Sequence, residues 1–328
     1  MYGYKTFHPK LAQSLIDSVR SDTASHAYIF EGSKGMYKTE TARLFANALV
    51  CAHQSTAPCG ECASCRQAMA KSCPDIIIVE HDKGKDGKPK KKIGVAAARE
   101  TNADALIKPF AALRKVYIVP DGENLTTEAQ NALLKTLEEP PEYVVFIIII
   151  PSASQLLQTI ISRSTVITFN AVAADTIYDH IIEKYPEKRD RAAFITAYSD
   201  GVPGAADALA ADDSFDELRG KCLFMIERLL SKDAADAFKI EDFVSENADR
   251  VNEICDIWIS LLRDISVLHC GRREAVINSD KIDALRALMP KADLKRCIRG
   301  AELLVESEEM LSKSVKANAV MLRCALMI

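Results

Sequence analysis

Residues 32–39 read Gly-Ser-Lys-Gly-Met-Tyr-Lys-Thr, which is one residue away from a phosphate-binding loop. The loop pattern requires Gly, any four residues, Gly, Lys and then Ser or Thr. Lys38 and Thr39 are in frame, but Tyr37 occupies the second glycine position, where glycine lets backbone N–H groups approach phosphate without a Cβ in the way. The frame therefore predicts a nucleotide-binding fold with an altered loop. The candidate phosphate contacts are Gly32, Gly35, Lys38 and Thr39.

The composition is ordinary for a soluble protein, since 48% of the 328 residues are hydrophobic and 27% are charged. The length is enough for two or three domains. A net charge of −4 gives no general affinity for nucleic acid, so we expect any DNA contact to be local or made through partners. Met1–Lys10 lacks the apolar core of a signal peptide, and the apolar run Val144–Ile150 is too short to cross a bilayer. We therefore expect a cytoplasmic protein without membrane contact, whose ten cysteines are thiols or metal ligands rather than disulfides.

The first half of the chain alternates β-rich runs with helical stretches, which predicts a wound α/β domain. Several of the β-rich runs are apolar throughout, as is typical of parallel strands that are covered on both faces. The second predicted helix begins at a capping-box sequence from Thr127 and ends before Pro140. The predicted strands are Ala27–Glu31, Ile76–Glu80, Val116–Val119, Val144–Ile150 and Thr165–Phe169, and the predicted helices are Lys38–Val50 and Glu128–Glu139.

The strand pattern ends near residue 170, and this change predicts three domains. Residues 1–170 form the α/β domain, 171–209 a small helical domain broken by Gly and Pro at 201–204, and 210–328 an all-helical C-terminal domain. Within the first domain, the lysine-rich segment Lys83–Lys92 is interpreted as a solvated hairpin tip, with an electrostatic contact to DNA as the alternative.

A dense group of cysteines follows the predicted helix Lys38–Val50. The spacing is Cys-x7-Cys-x2-Cys-x2-Cys, and two adjacent Cys-x2-Cys steps bring thiolates close enough to share one ion. Four thiolates complete the tetrahedral shell of zinc and leave no open position, so the predicted site is structural. The alternatives are scattered reduced thiols, a redox pair, or a ligand set in which His53 or Cys73 replaces one cysteine. The predicted zinc ligands, in a module at 51–65, are Cys51, Cys59, Cys62 and Cys65.

An ATPase of this class needs an acidic pair at the end of a strand, for Mg²⁺ and for the attacking water. After the strand Val116–Val119, the first of these positions is Pro120, which cannot bind metal. Asp121 fills the second position with a short side chain. We therefore favour a polar loop, in which Asp121 and Glu123 precede the next helix, over a hydrolytic site.

These features occur in the order in which a known family carries them. The chain resembles bacterial clamp-loader subunits of the AAA+ class from Phe7 to about Leu209, while the C-terminal helices fit the collar domain of that family without a motif of their own. The resemblance rests on the altered phosphate-binding loop at 32–39, called the near-loop below, on the cysteine group and on three further runs. These runs are His-Ala-Tyr-Ile-Phe at 26–30, Asn-Ala-Leu-Leu-Lys-Thr-Leu-Glu-Glu-Pro-Pro at 131–141 and Ser-Arg-Ser at 162–164.

Departures from the family pattern separate its branches. The ATP-hydrolysing gamma/tau branch carries a polar sensor residue at the end of the fourth strand, where this chain has Ile150 and Pro151, and a sensor arginine where it has Gly204. Together with Tyr37 and Pro120, these changes resemble the delta-prime branch, which does not hydrolyse ATP. In the family, a Ser-Arg-Cys motif extends an arginine into the ATP site of a neighbouring subunit. The resemblance therefore implies that Arg163 acts as a trans-acting arginine finger.

The resemblance implies a subunit that assembles with gamma/tau and delta into a hetero-pentamer, which loads a sliding clamp on primer-template DNA. It implies structural Zn²⁺ and no productive ATP binding by this chain. Two alternatives stay open: an ATPase motor subunit that uses Lys38, Thr39 and Asp121, and a zinc-dependent nucleic-acid-binding module. The near-neutral charge and the lack of interleaved basic and aromatic residues disfavour the second alternative.

Overall fold

The computed structural model describes residues 7–82, 91–231, 233–312 and 316–327. The chain divides into two compact units. The first comprises the described residues of 1–176 together with 202–205, and the second those of 177–201 and 206–328. The part of the chain that the structure describes contains no helix of the length and apolar character needed to cross a membrane.

The first unit is built around a five-stranded sheet in which every neighbouring pair of strands is parallel. The strand order is β2-β3-β4-β1-β5, so the near-loop follows the strand between β4 and β5. This arrangement confirms the predicted AAA+ type of wound α/β fold. The strands are β1 Ala27–Glu31, β2 Ile76–Ile78, β3 Lys115–Val119, β4 Val144–Ile150 and β5 Thr165–Thr168.

Helices cover both faces of this sheet. The fully buried strands β3 and β4 confirm that uninterrupted apolar runs indicate a sheet covered on both sides. On one face Tyr117 and Phe146 stack with ring centroids 5.0 Å apart, and on the other Tyr28 packs edge-on against Phe45 at 4.9 Å. The helices of this unit are α1 Pro9–Arg20, α2 Lys38–Val50, α3 Ala63–Met69, α4 Val95–Ala105, α5 Thr127–Glu138 and α6 Gln158–Ile161.

The edges of the sheet differ from the sequence prediction. The two edge strands β2 and β5 are shorter than predicted. β2 is half-buried and β5 is mostly exposed, because each has a neighbour on one side alone. The start of α5 also differs, since the N-cap is Thr126, whose hydroxyl accepts from the Ala129 N–H at 3.2 Å. The prediction of a cap at Thr127 was wrong by one residue. Of the lysine-rich segment 83–92, residues 83–90 lie outside the described residues.

The second unit is helical throughout its described residues, as the loss of strand pattern after residue 170 predicted. Its core includes Trp258, which is fully buried and donates from its indole N–H to the Cys222 carbonyl at 3.0 Å. The division between a lid and a C-terminal domain at residue 209 stays a prediction. The helices from residue 174 onward are α7 Ala174–Lys184, α8 Ala192–Tyr198, α9 Pro203–Ala211, α10 Phe215–Leu229, α11 Ala234–Glu246, α12 Val251–His269, α13 Ile282–Leu288, α14 Leu294–Ser312 and α15 Ala317–Met327.

Candidate functional site

The near-loop keeps the backbone path that a glycine would allow. Tyr37, at the N-terminal cap of α2, is in the left-handed region with φ 56° and ψ 33°. This conformation costs a non-glycine residue roughly 1–2 kcal/mol. The Tyr37 ring packs against Phe7, with ring centroids 4.9 Å apart. The side chain therefore contributes packing at a position where the loop pattern has none.

Lys38, the loop lysine, is directed into the loop itself. Its ammonium donates to the carbonyl of Gly32 and, at 2.9 Å, to that of Ser33. Only 7% of the residue is exposed, and burial lowers the pKa of its ammonium, while nearby Glu123 partly opposes this change. In this arrangement the ammonium of Lys38 satisfies two backbone carbonyls of its own loop.

Gly204, at the position where the resemblance implies a sensor arginine in the gamma/tau branch, packs directly on the loop. Its N–H donates to the Gly35 carbonyl at 2.8 Å. A Cβ added at Gly204 would lie 2.7 Å from the Gly35 Cα, closer than side chains approach backbone atoms. Any side chain at this position, including arginine, would displace the loop. Both residues belong to the first unit.

A cleft of about 340 Å³ lies beside the loop, and the ends of β3 and β4 line it. Pro120 follows β3, where the family pattern has its first acidic residue. Asp121 comes next, with its Oδ2 atom 3.2 Å from Nε2 of His81. Ile150 ends β4 and is fully buried, so it presents no polar group to the cleft. The structure thus brings the predicted loop residues together, but beside apolar side chains and an Asp121 that is paired with histidine.

The cysteine group converges as its spacing predicts. The four Sγ atoms, those of Cys51, Cys59, Cys62 and Cys65, lie within 4.8 Å of one another, and the Cys59 and Cys65 sulfurs are 3.9 Å apart. Tetrahedral zinc with Zn–S bonds of about 2.3 Å requires sulfurs roughly 3.8 Å apart. The group could therefore hold a metal ion with little rearrangement. Within the described residues, neither His53 nor Cys73 belongs to it.

Backbone N–H groups point at the sulfurs of this group. The Cys51 sulfur accepts from His53 and Cys59, the Cys59 sulfur from Cys62, and the Cys62 sulfur from Cys65, over distances of 3.3 to 3.5 Å. N–H groups of Cys62 and Glu61 lower the pKa of the Cys59 thiol to about 6. Burial raises the pKa of the Cys51 and Cys65 thiols. Such N–H donors stabilise thiolates around a bound cation.

Arg163 lies in the turn between α6 and β5. Its NH1 group donates to the Thr159 carbonyl at 2.9 Å, and its NH2 group is 2.9 Å from Oε1 of Glu138. Its side chain is 37% exposed. The guanidinium is therefore held at the surface of the first unit with access to solvent.

The comparisons with known proteins place these features in one family. Residues 7–173 match the family model described as DNA polymerase III, delta subunit. The chain belongs to this family. The family and the relatives are described as subunits of DNA polymerase III, which agrees with the order of motifs.

Relatives of this polymerase III family come from two branches. The chain is 26% identical to DNA polymerase III subunit delta' of Bacillus subtilis, over 98% of this chain and 95% of the relative. It is 29% identical to subunit tau of the same organism, over 97% of this chain and 57% of the relative. A gamma subunit-related protein of Thermotoga maritima is 18% identical, with a TM-score of 0.42, over 96% of this chain and 99% of that structure.

One surface feature of this family member was missed at the sequence level. The segment between α4 and β3 exposes large apolar side chains, and Phe110 is 85% exposed. Asp75 fixes this segment, because its buried carboxylate accepts from the N–H groups of Phe110, Ala111 and Ala112. The signal in the sequence is an apolar group around a proline with neither helical nor strand periodicity. The exposed apolar residues are Leu106, Ile107, Phe110 and Leu113.

Proposed function

We propose that this chain is a non-hydrolysing, delta-prime-type clamp-loader subunit. The observation that carries the proposal is the contact of Gly204 with Gly35, because it leaves no room beside the loop for the arginine side chain that an ATPase of this class would carry at residue 204. Pro120 supports the same conclusion, because it offers no carboxylate at the position where Mg²⁺ would be held. The similarity to B. subtilis delta' over nearly the full length of both proteins supports this branch.

In this proposal the chain assembles with gamma/tau and delta subunits into a hetero-pentamer in the bacterial cytoplasm. The complex places a sliding clamp on primer-template DNA during replication. Residues 171–209 act as a lid and 210–328 as the collar that holds the subunits together. Arg163 reaches the ATP site of the neighbouring subunit, where a guanidinium stabilises the charge of the transition state.

The isolated chain tests the missing nucleotide site. We expect no Mg²⁺-dependent ATP turnover and no saturable ATP binding by calorimetry, with a gamma/tau subunit as the positive control. The Lys38→Ala variant should behave like the parent chain, because Lys38 contacts its own loop. Clear turnover that Lys38→Ala abolishes would contradict the proposal.

An ATP-hydrolysing motor subunit is the second candidate. It is favoured by the in-frame Lys38 and Thr39 and by the match to B. subtilis tau over 97% of this chain. A motor subunit would need Asp121 to orient the attacking water. In this structure the Asp121 carboxylate is paired with His81 instead. Turnover that is lost in both Lys38→Ala and Asp121→Asn would establish the motor role.

We also propose that Cys51, Cys59, Cys62 and Cys65 hold one structural Zn²⁺. The support is the convergence of four sulfurs within 4.8 Å, together with N–H groups that donate to them. Bound zinc would supply a closed, non-catalytic crosslink between the end of α2 and α3. Elemental analysis of the purified chain should give one zinc per chain, and a chain that is folded and metal-free would contradict this assignment.

A further inference from the structure

Arg163 has an acidic partner on a separate element of the first unit. Glu138 is the last residue of α5, and its Oε1 atom is 2.9 Å from the Arg163 NH2 group. On its other side, the Arg163 NH1 group contacts the Thr159 carbonyl at 2.9 Å and the Ser162 hydroxyl at 3.4 Å. The guanidinium is therefore fixed from two directions, by its own turn and by the end of α5.

Glu138 lies at the C-terminal end of a helix, where an acidic side chain is unfavourable. The carbonyl end of a helix carries partial negative charge and favours cations, yet α5 ends with Glu138 and continues into Glu139. Arg163 supplies the compensating positive charge to Glu138. A side chain that is unfavourable for the local secondary structure is expected at positions where it serves function rather than folding.

The Glu138–Arg163 pair contributes little to stability. The two side chains are 46% and 37% exposed, and exposed ion pairs are weakened by solvent and salt. Its main effect is orientation, because a free arginine side chain samples many rotamers and must lose that freedom when it engages a ligand. Among the described residues, the hydrogen bonds of this guanidinium come from NH1, and NH2 forms the ion pair with Glu138, so the Nε–H group is left for an incoming anion.

We propose that Glu138 is a positioning residue for Arg163, which it holds in the orientation that reaches the triphosphate bound by the neighbouring subunit. This inference rests on the proposed function, in which Arg163 acts in trans. Glu138 acts through Arg163 alone and carries no proton or metal in the reaction. Its contribution is to orient the guanidinium before the transition state forms at the ATP site of the neighbouring subunit.

The test uses the full complex, reconstituted with its gamma/tau and delta subunits and assayed for DNA-stimulated ATP hydrolysis. At the one ATP site that Arg163 serves, we expect Glu138→Ala to lower kcat about tenfold with little change in KM for ATP, because a misoriented finger affects the transition state more than substrate binding. Arg163→Ala should lower kcat at that site by about a thousandfold or more. The matched control is Glu139→Ala, which removes an equal charge from the next residue, and it should leave kcat unchanged.

A double-mutant cycle separates positioning from an independent role. In the Arg163→Ala background, Glu138→Ala should cause no further loss of kcat, and all variants should keep the parent's unfolding midpoint. An equal loss in both backgrounds, or full activity of Glu138→Ala beside an impaired Arg163→Ala, would overturn the positioning role. Full activity of Arg163→Ala would instead overturn the arginine-finger proposal, and the positioning role with it.

Discussion

Gly204 and Gly220 offer a direct test of how tightly the near-loop is packed. A Cβ at Gly204 would meet the Gly35 backbone at 2.7 Å, so we expect Gly204→Ala to destabilise the first unit by about 1–3 kcal/mol. Gly220 lies on an exposed helical surface with nothing within 4 Å of an added Cβ. Gly220→Ala should therefore stabilise by roughly 0.5–1 kcal/mol through helix propensity. Chemical denaturation followed for both variants would show effects of opposite sign, and a neutral Gly204→Ala would mean that the loop can move away from residue 204.

Asp75 provides a second residue-level prediction. Its carboxylate is 1% exposed and accepts three backbone N–H groups from the segment that carries Phe110. Asp75→Asn puts an amide donor among these donors, and we expect a loss of about 2–3 kcal/mol in unfolding free energy. The control is Phe110→Ser, which changes the exposed side chain of the same segment and should leave stability nearly unchanged. A similar loss in both variants would mean that the apolar side chains, rather than Asp75, hold this segment.

The helices α12 and α14 contain a carboxyl pair that makes the second unit sensitive to pH. Asp256 and Glu308 hydrogen bond to each other, and burial, with the neighbouring Asp256 charge, raises the pKa of Glu308 to about 7. The ordinary Glu pKa is near 4.3, so the folded state holds this proton more tightly than the unfolded chain. The contribution of the protonated Glu308 to the stability of the fold is therefore fully present below about pH 4.3. It is lost as the pH rises through about 7.

Removing the Glu308 charge should reverse the pH effect. We expect Glu308→Gln to be more stable than the parent at pH 8 by about 1 kcal/mol, a value reduced for partial solvent exposure, and the difference should shrink toward pH 5. Urea denaturation at several pH values measures it. Glu302→Gln removes an exposed charge from the same helix and serves as the control. A constant difference between the Glu308 and Glu302 variants from pH 5 to 8 would contradict the raised pKa.

Patterns confined to one element were predicted well from the sequence, and contacts between distant elements were not. The apolar runs of β3 and β4 predicted central strands because burial on both faces leaves no polar positions. The cysteine spacing predicted convergence because its ligands lie close in sequence. By contrast, the contacts of Gly204 with Gly35 and of Arg163 with Glu138 depend on how separate segments pack. No local period encodes such contacts, so they required the structure.

Metal removal should lower the stability of the first unit only. All four cysteines of the proposed zinc site belong to the first unit, and bound metal stabilises the state that binds it by mass action. We therefore expect a strong chelator, or Cys59→Ser, to lower the unfolding transition of the first unit and to leave that of the second unchanged. Scanning calorimetry resolves the two transitions if the units unfold independently, and Trp258 fluorescence reports on the second.

Cys270→Ser, an exposed cysteine in the second unit, is the matched control and should change neither transition. Equal shifts of both transitions on chelation would show that the metal site supports the chain as one cooperative structure, whereas an unchanged first transition would remove the structural role of the four-cysteine group.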